Sequence, residues 1–195
     1  MAPLHILIAD ADADPARAKS LQSSLMETGD DTVVLALPAD LSMTLRRGKP
    51  DAVILATEAL DRRTIDDLRV ATKEGPRPVV VFVDRADDTT MRDAIAAGVS
   101  SLVVAGLAPQ RVRAILDVAI ARFQATEATR VELETARANL AERKVIDRAK
   151  GILMQQRSLS EDDAYKILRK EAMDRGRKIG EVAQSVVSVA DLLKR

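Results

Sequence analysis

Short apolar runs alternate with amphipathic segments along the first 120 residues of the chain. The apolar runs are rich in Val, Ile and Leu and are bounded by Asp, Pro or Gly, which is typical of buried β-strands. They are Leu4–Ala9, Thr32–Ala36, Ala52–Ala56, Val79–Val83 and Ser101–Val104. The segments with helical spacing are Asp14–Thr28, Leu41–Arg47, Thr64–Lys73 and Thr89–Ala97. Consecutive βα units with right-handed crossovers predict a doubly wound α/β domain, with its functional edge at the carboxyl ends of the strands.

Glycine and proline mark the ends of these helices. Asp14 is the expected N-cap of the first helix, and Pro15 fits its first turn. A glycine follows each of the four helical segments, where a left-handed C-terminal cap favours this residue. These glycines are Gly29, Gly48, Gly75 and Gly98.

The fifth helical segment is unusually long. It begins near Pro109, and from Gln110 to Gln156 it contains no proline and a single glycine, Gly151. Its first apolar face is expected to seal the sheet and comprises Val112, Ile115, Leu116, Ala119, Ile120 and Phe123. Farther on, apolar residues recur every seven positions, as in a dimerising coiled coil, although a solvated connecting helix also fits. They are Val131, Ala138, Val145 and Ile152, with Leu133 and Leu140 in a parallel track.

A new helical pattern starts after Arg157. Ser160 followed by Asp163 predicts a capped helix start of the capping-box type. A basic turn over Asp174–Lys178 leads to a last amphipathic helix over Glu181–Leu193, through Val182, Val186, Val189 and Leu193. The tail is therefore expected to be a small all-α unit. Its predicted core comprises Ile146, Ala149, Leu153, Ala164, Leu168, Ala172 and Met173.

The composition narrows the chemistry available to the chain. With no cysteine there is no disulfide, thiol nucleophile or cysteine-based metal site, and the single histidine, His5, is expected to be a strand-end residue. The sequence has no glycine-rich phosphate loop and no convincing nucleophile–base pair, so we expect no enzyme activity and no catalytic residues. No signal peptide or membrane-spanning stretch is evident, which predicts a cytoplasmic protein.

The charge is unevenly distributed, although 30 basic and 30 acidic side chains cancel over the whole chain. Residues 1–120 carry 14 basic and 18 acidic side chains. Residues 143–178 carry 11 basic and six acidic ones, a local charge of +5. An acidic domain followed by a basic patch is the pattern of a regulatory domain that carries a nucleic-acid reader.

The acidic half resembles a response-regulator receiver of flavodoxin-like (CheY-like) fold. The resemblance lies in Ile6–Asp12 and Pro50–Ala56. In that family, acids after the first strand hold Mg²⁺, an Asp at the end of the third strand accepts phosphate, and a Lys follows the fifth strand. Asp10 and Asp12 form the expected acidic pocket, which either caps the loop or binds Mg²⁺.

The chain departs from this family pattern at the phosphoacceptor. Ala56 stands at the phosphoacceptor position, and no lysine follows the fifth strand at the matching place. The alanine side chain has no oxygen to phosphorylate. The neighbouring Thr57 and Glu58 carry side-chain oxygens but are poor substitutes for the phosphoacceptor. We therefore expect a pseudo-receiver that binds proteins and presents a dimer.

The basic tail resembles the ANTAR domain, a three-helix RNA-binding module of bacterial transcription antiterminators. The resemblance runs in order and register through Leu140–Met154, Leu159–Met173 and Asp174–Ile179. The residues that carry it are Ala149-Lys150-Gly151, Leu153-Met154, Ser160-Glu161, Ala164-Tyr165, Leu168-Arg169 and Ala172-Met173. The whole chain is similar to the NasT type of nitrate-assimilation antiterminator, to which Phe82–Asp84 and Gly106–Val112 contribute. We expect a receiver-like domain over 1–120, a helical linker over 121–142 and an ANTAR domain over 143–195.

The side chains expected to bind RNA combine cations with one aromatic ring. Lys and Arg neutralise phosphates, and Arg or an aromatic ring stacks on unpaired bases. Tyr165 is equally compatible with a place in the core, and Gly151 suggests close approach of another backbone, either protein or RNA. The expected RNA-binding residues are Arg143, Lys144, Lys150, Gly151, Tyr165, Arg169, Arg177 and Lys178.

The resemblance implies a function in gene regulation. It implies binding to leader-RNA hairpins, antitermination at nitrate or nitrite assimilation genes, and release from a nitrate- or nitrite-sensing partner of the NasS type. A homodimer through the 110–156 helix would present two RNA-binding tails. The residues alone leave two alternatives open: a DNA-binding response regulator and a protein-binding adaptor.

Overall fold

The computed structural model describes residues 3–12, 14–37, 41–105 and 108–193, without the side chains of Pro109 and Leu193. The predicted contributions of Gly106, Leu107 and the Leu193 side chain lie outside this description. The chain divides into two compact units, Met1–Glu127 and Ala128–Arg195.

The first unit is a five-stranded parallel sheet in the order β2-β1-β3-β4-β5. The strands are β1 (His5–Asp10), β2 (Asp31–Ala36), β3 (Ala52–Ala59), β4 (Val79–Arg85) and β5 (Ser101–Val104). The helices between them are α1 (Ala16–Glu27), α2 (Leu41–Gly48), α3 (Arg62–Glu74) and α4 (Asp88–Ala96). This strand order belongs to the flavodoxin-like doubly wound fold, so the predicted fold of the first unit is confirmed.

Two apolar cores flank the sheet, as the near-continuous apolar strands require. One core joins strand residues such as Leu55 and Val81 to side chains from α2, α3 and α4. The other joins Ile8, Ile54 and Phe82 to side chains of α1 and of the long helix α5 (Pro109–Arg157). Val112, Leu116 and Ala119 of α5 are buried in it, and Ile115 and Ile120 pack against it, so the predicted sealing face is confirmed for these residues.

Helix ends were predicted less accurately than helices. Gly29 and Gly98 have the expected left-handed conformation, with φ of 86° and 95°. The prediction was wrong for Gly48, which is the last residue of α2, because the left-handed residue after this helix is Lys49. It was also wrong for Gly75, whose φ is −146°. Asp14 was also wrong as an N-cap, and Pro15 as a residue of the first turn, since Pro15 occupies the N-cap position of α1. The Asp14 carboxylate still accepts a hydrogen bond from the Ala16 N–H.

The second unit consists of the end of α5 with α6 (Glu161–Asp174) and α7 (Ile179–Leu193). Ser160 caps α6 as predicted, because its hydroxyl accepts a hydrogen bond from the Asp163 N–H and donates one to the Asp163 carboxylate. The buried residues of this unit are Ala149, Leu153, Ala164, Leu168, Ala172, Val182, Ala183, Val187 and Ala190, and Ile146 packs against the core.

Two apolar residues of the tail lie outside its core, contrary to prediction. Met173 is 72% exposed, because the buried stripe of α6 repeats every four residues and ends at Ala172. Val189 of α7 is also exposed, because α7 buries Ala183, Val187 and Ala190 instead.

The heptad-spaced residues of α5 have two different environments. Val145 and Ile152 pack against the core of the second unit. Val131, Leu133 and Leu140 are about half exposed. A coiled-coil dimer through this helix remains a prediction. Among the described residues, no helix is long and apolar enough to cross a membrane.

Candidate nucleic-acid interface

A basic side chain lies at the carboxyl edge of the sheet, where the sequence predicts an acidic pocket. The Arg17 guanidinium, in the first turn of α1, donates two hydrogen bonds to the Asp84 carboxylate at 2.8 and 2.6 Å. Its Nε also donates to Asp12 Oδ2 at 3.0 Å. The hydrogen bond to Asp84 is the main cause that raises the pKa of Arg17, and the same bond lowers the pKa of Asp84. Arg17 therefore joins the ends of β1 and β4 through charge-assisted bonds.

Asp12 also binds the end of β3. Its Oδ1 accepts hydrogen bonds from the Glu58 N–H at 2.8 Å and from the Thr57 hydroxyl at 3.2 Å. Asp10 is buried, and its carboxylate accepts a hydrogen bond from the Asp12 N–H. The predicted pair Asp10 and Asp12 is thus brought together, and Asp12 uses both oxygens within the protein.

The phosphoacceptor position offers no exposed oxygen. Ala56 is fully buried in the core under α1 and α5. Thr57 is buried with its hydroxyl bonded to Asp12 and the Ala59 carbonyl, and Glu58 pairs with Arg85. Sequence reasoning missed Arg17. The available signal was a basic residue in the first helical turn directly after the acidic loop.

In the second unit, Lys150 connects two helices. Its Nζ lies 2.7 Å from Asp147 Oδ1 on the same helix and 2.7 Å from Glu161 Oε1 at the start of α6. The side chain is 15% exposed. Hydrogen bonds to Asp147 and then Glu161 raise the pKa of Lys150, and the bond to Lys150 lowers the pKa of Asp147. Lys150 is therefore a charged link within the unit as well as a predicted RNA ligand.

A cavity of about 310 Å³ opens beside Lys150, between α5 and α6. Three predicted RNA-binding residues line it: Arg143, Lys150 and Tyr165. The other lining residues are Asn139, Glu142, Ile146 and Asp147. Tyr165 is 43% exposed, so the alternative of a core position is excluded.

A second cavity, of about 760 Å³, lies between α5 and α7. Arg177 and Lys178 line it, and it shares Glu142 with the first cavity. Arg177 is held by Glu181 at 3.0 Å. Gly180 packs closely against Glu142, because a Cβ at this position would lie 2.5 Å from the Glu142 carboxylate and would require that side chain to move. Sequence reasoning missed the contact between Gly180 and Glu142.

The remaining predicted residues lie outside both cavities: Lys144, Gly151 and Arg169. A Cβ added to Gly151 would meet no atom within 4 Å in the described protein. No other described part of this chain therefore approaches Gly151, and close approach by the backbone of a second protein or of RNA remains a prediction. Arg169 lies one helical turn after Tyr165, on the same side of α6.

Several cations of the second unit are available for a ligand. Other basic side chains pair with acids, as Arg148 does with Asp191. Within the described part of this unit, the side chains without a hydrogen bond or ion pair include Arg143, Lys144, Arg157, Arg169, Lys170 and Lys178. The positive charge predicted from composition is thus exposed mainly on α5, α6 and the turn before α7.

Residues 134–187 match the family model of the ANTAR domain. The chain is 28% identical over 186 residues to the transcriptional regulatory protein PdtaR of Mycobacterium tuberculosis, covering 95% of this chain and 90% of that protein. It is 36% identical over 61 residues to the nitrate regulatory protein of Klebsiella oxytoca, covering 31% of this chain and 15% of that protein. The family match falls on the unit that contains both cavities.

The solved structures support the fold of the first unit. The signal receiver domain of a modulated diguanylate cyclase from Desulfovibrio desulfuricans aligns with a TM-score of 0.53 at 15% identity, covering 64% of this chain and 99% of that one. A response regulator from Thermotoga maritima aligns with a TM-score of 0.53 at 16% identity, covering 62% of this chain and 99% of that one. These similarities concern fold alone. The chain thus combines a unit of receiver-like fold with a region that matches the ANTAR domain model.

Proposed function

We propose that this protein, a response-regulator-like transcription regulator with an ANTAR domain, acts by binding hairpins in leader RNA and preventing transcription termination. The observation that carries the proposal is the match of the ANTAR family to residues 134–187, where Arg143, Lys150 and Tyr165 line one cavity. The proposed mode of action is binding, without catalysis.

The exposed cations of the second unit suit an RNA ligand. Lys144, Lys170 and Lys178 have no acidic partner among the described residues and would neutralise phosphates. Tyr165 and Arg169 lie one turn apart on α6 and would stack on unpaired loop bases. This combination of a ring with adjacent cations favours a structured RNA loop over duplex DNA, in which the bases are already stacked.

The regulatory input is proposed to be a protein partner rather than phosphorylation. Ala56 provides no acceptor oxygen, and Arg17 provides the positive charge beside Asp12 that a metal ion would otherwise supply. This arrangement does not fit Mg²⁺ at Asp10 and Asp12, so we propose that the pocket works without a metal. Incubation with a small-molecule phosphodonor and Mg²⁺ should add no phosphate, and a stable aspartyl adduct would contradict this part of the proposal.

The regulated genes are proposed to be those of nitrate or nitrite assimilation. The support is the similarity of this chain to part of the nitrate regulatory protein of Klebsiella oxytoca. The partner would then be a nitrate- or nitrite-sensing protein that sequesters the regulator until its ligand binds. A homodimer through α5 would present two RNA-binding units.

The test is a salt-titrated binding assay with the full-length protein. Leader hairpins from upstream of nitrate-assimilation genes are compared with duplex promoter DNA of equal length. Arg169→Ala should weaken hairpin binding and reduce the salt slope by about 1. Arg157→Ala, which removes another unpaired cation but no predicted RNA ligand, is the matched control. Binding to the duplex alone would favour a DNA-binding response regulator, and binding to neither would favour an adaptor.

A further inference from the structure

A third cavity of the second unit has no part in the proposed RNA binding, since none of the predicted RNA-binding residues lines it. It has a volume of about 430 Å³ and opens between α5, α6 and α7. Each helix contributes two aliphatic side chains to its lining, which are Ile152, Leu153, Ile167, Leu168, Val182 and Val186. Leu153, Leu168 and Val182 are buried, and the other three pack against the core of the unit. The cavity therefore presents apolar surface that a ligand would remove from water.

The lining of this cavity favours an aliphatic chain over a flat ring. Its volume lies within the range for small-ligand sites. No aromatic side chain belongs to the described lining, so a ring would find no stacking partner there. A methylene group is close in size to a water molecule, which occupies about 30 Å³, so a chain of roughly ten carbons fills most of the cavity.

The charged side chains of the lining leave one cation unpaired. Arg175 forms an ion pair with Glu171, four residues earlier in the chain. Arg157, the last residue of α5, also lines the cavity and has no hydrogen bond or ion pair among the described residues. A guanidinium binds a carboxylate through two parallel hydrogen bonds. An anionic head group with two oxygens therefore complements this part of the lining.

We propose that this cavity binds a linear aliphatic monocarboxylate, with the chain between the three helices and the carboxylate paired with Arg157. A neutral chain would gain the same burial of apolar surface but would leave Arg157 without a partner. A cationic head group would be repelled by Arg157. The proposal assigns a small-molecule site to the second unit and is independent of the proposed binding of RNA.

The experiment is isothermal titration calorimetry of the full-length protein with hexanoate, octanoate and decanoate, each below the concentration at which it forms micelles. We expect one site per chain and an affinity that rises about two- to fourfold for each added methylene group. Decanamide has the shape of decanoate without its charge. It should bind wild type roughly fivefold more weakly than decanoate does, because Arg157 is exposed and its ion pair is screened by solvent.

Three variants at exposed positions test the role of the charge. Arg157→Ala should bind decanoate and decanamide with equal affinity. Gln156→Glu places a carboxylate in the lining at almost unchanged volume, and should weaken decanoate binding but not decanamide binding. Gln155→Glu adds the same charge one residue earlier, outside the lining, and is the matched control that should keep the preference for decanoate. Circular dichroism should report the same helix content for all three variants.

Methyl NMR spectra of the full-length protein locate the bound chain. Decanoate should shift the signals of Ile152 and Ile167 most, because both line this cavity and neither lines the two cavities beside Glu142. Four results would each overturn the proposal: no heat of binding up to the solubility limit of decanoate, an affinity that is independent of chain length, equal binding of decanoate and decanamide by wild type, or shifts confined to other isoleucines. Hairpin binding is measured separately, so failure of this proposal leaves the proposed function standing.

Discussion

Gly151 offers a test in which fold stability and function are expected to change in opposite directions. It lies inside α5, six residues before the helix ends at Arg157, and it does not have a positive φ. A Cβ added there would meet no atom within 4 Å. Gly151→Ala therefore introduces neither a clash nor a new contact within the described protein.

The expected stabilisation is the difference in helix propensity. Alanine is favoured over glycine in a helix interior by about 0.8–1.0 kcal/mol, which is roughly a fivefold change in the folding equilibrium. With a denaturant dependence of about 1–3 kcal/mol per molar urea, the unfolding midpoint should rise by roughly 0.3–1 M. RNA affinity should fall if an RNA backbone approaches Gly151 as predicted, because the methyl group would occupy that space.

The assay is urea unfolding of the full-length protein followed by circular dichroism, together with hairpin binding by the same preparations. Gly180→Ala is the matched control, because its Cβ would lie 2.5 Å from the Glu142 carboxylate and force that side chain to move. We expect a smaller stabilisation, or a loss, for Gly180→Ala.

Two outcomes would contradict this reasoning separately. A lower or unchanged urea midpoint for Gly151→Ala would refute the conclusion that the position is unstrained and unobstructed. A higher urea midpoint with unchanged RNA affinity would show that Gly151 is not an RNA-binding residue, and the presence of a glycine at this position would then have no explanation.

Three further predictions concern the first unit. Asp30→Asn should lower the free energy of unfolding by about 2 kcal/mol in urea titrations, because Arg113 loses its buried partner, whereas the exposed Asp31→Asn should change it by less than about 0.5 kcal/mol. Burial raises the pKa of Asp30, but hydrogen bonds from Arg113, the Leu4 N–H and Thr28 outweigh it and hold that pKa below its usual value. The stabilisation is therefore present above about pH 4 and lost as the pH falls through the lower folded-state pKa, so the urea midpoint of wild type should fall more steeply with acidification than that of Asp30→Asn. Mg²⁺ should leave the melting temperature of the wild-type protein unchanged. It should raise the melting temperature of Arg17→Ala, because Asp12 and Asp84 lose their cation in that variant. An equal rise in both proteins would contradict the role given to Arg17.

The local pattern of apolar and polar residues was sufficient to predict the strands and helices, because the burial of a strand and the amphipathicity of a helix can be recognised from consecutive residues. The five strands, the long α5 and the Ser160 cap are each indicated by the types of residues that lie within a few positions of each other. Errors occurred where a decision depended on one residue at an element boundary. Gly48 was displaced as a cap because α2 continues one residue farther, and Met173 was misplaced because one step along α6 turns a side chain by about 100°.

The candidate sites were predictable in their residue types but not in their partners. Composition and order placed Arg143, Lys150 and Tyr165 in one basic unit, and the structure places them around one cavity. No pattern in the chain indicated that Lys150 is bound by Glu161, eleven residues away, or that Arg17 reaches Asp84, 67 residues away. Such ion pairs depend on how the helices and strands pack, and the spacing of residues within one helix or strand does not predict them.

These long-range pairs give the two units different electrostatic roles. In the first unit two of the half-buried cations, Arg17 and Arg113, are each held by two carboxylates, so these charges stabilise the fold. In the second unit Arg143 and Arg169 remain unpaired among the described residues, next to the one aromatic ring of the tail. Because an unpaired, exposed cation gains most from meeting a phosphate or a base edge, the proposed binding of nucleic acid is expected from the second unit.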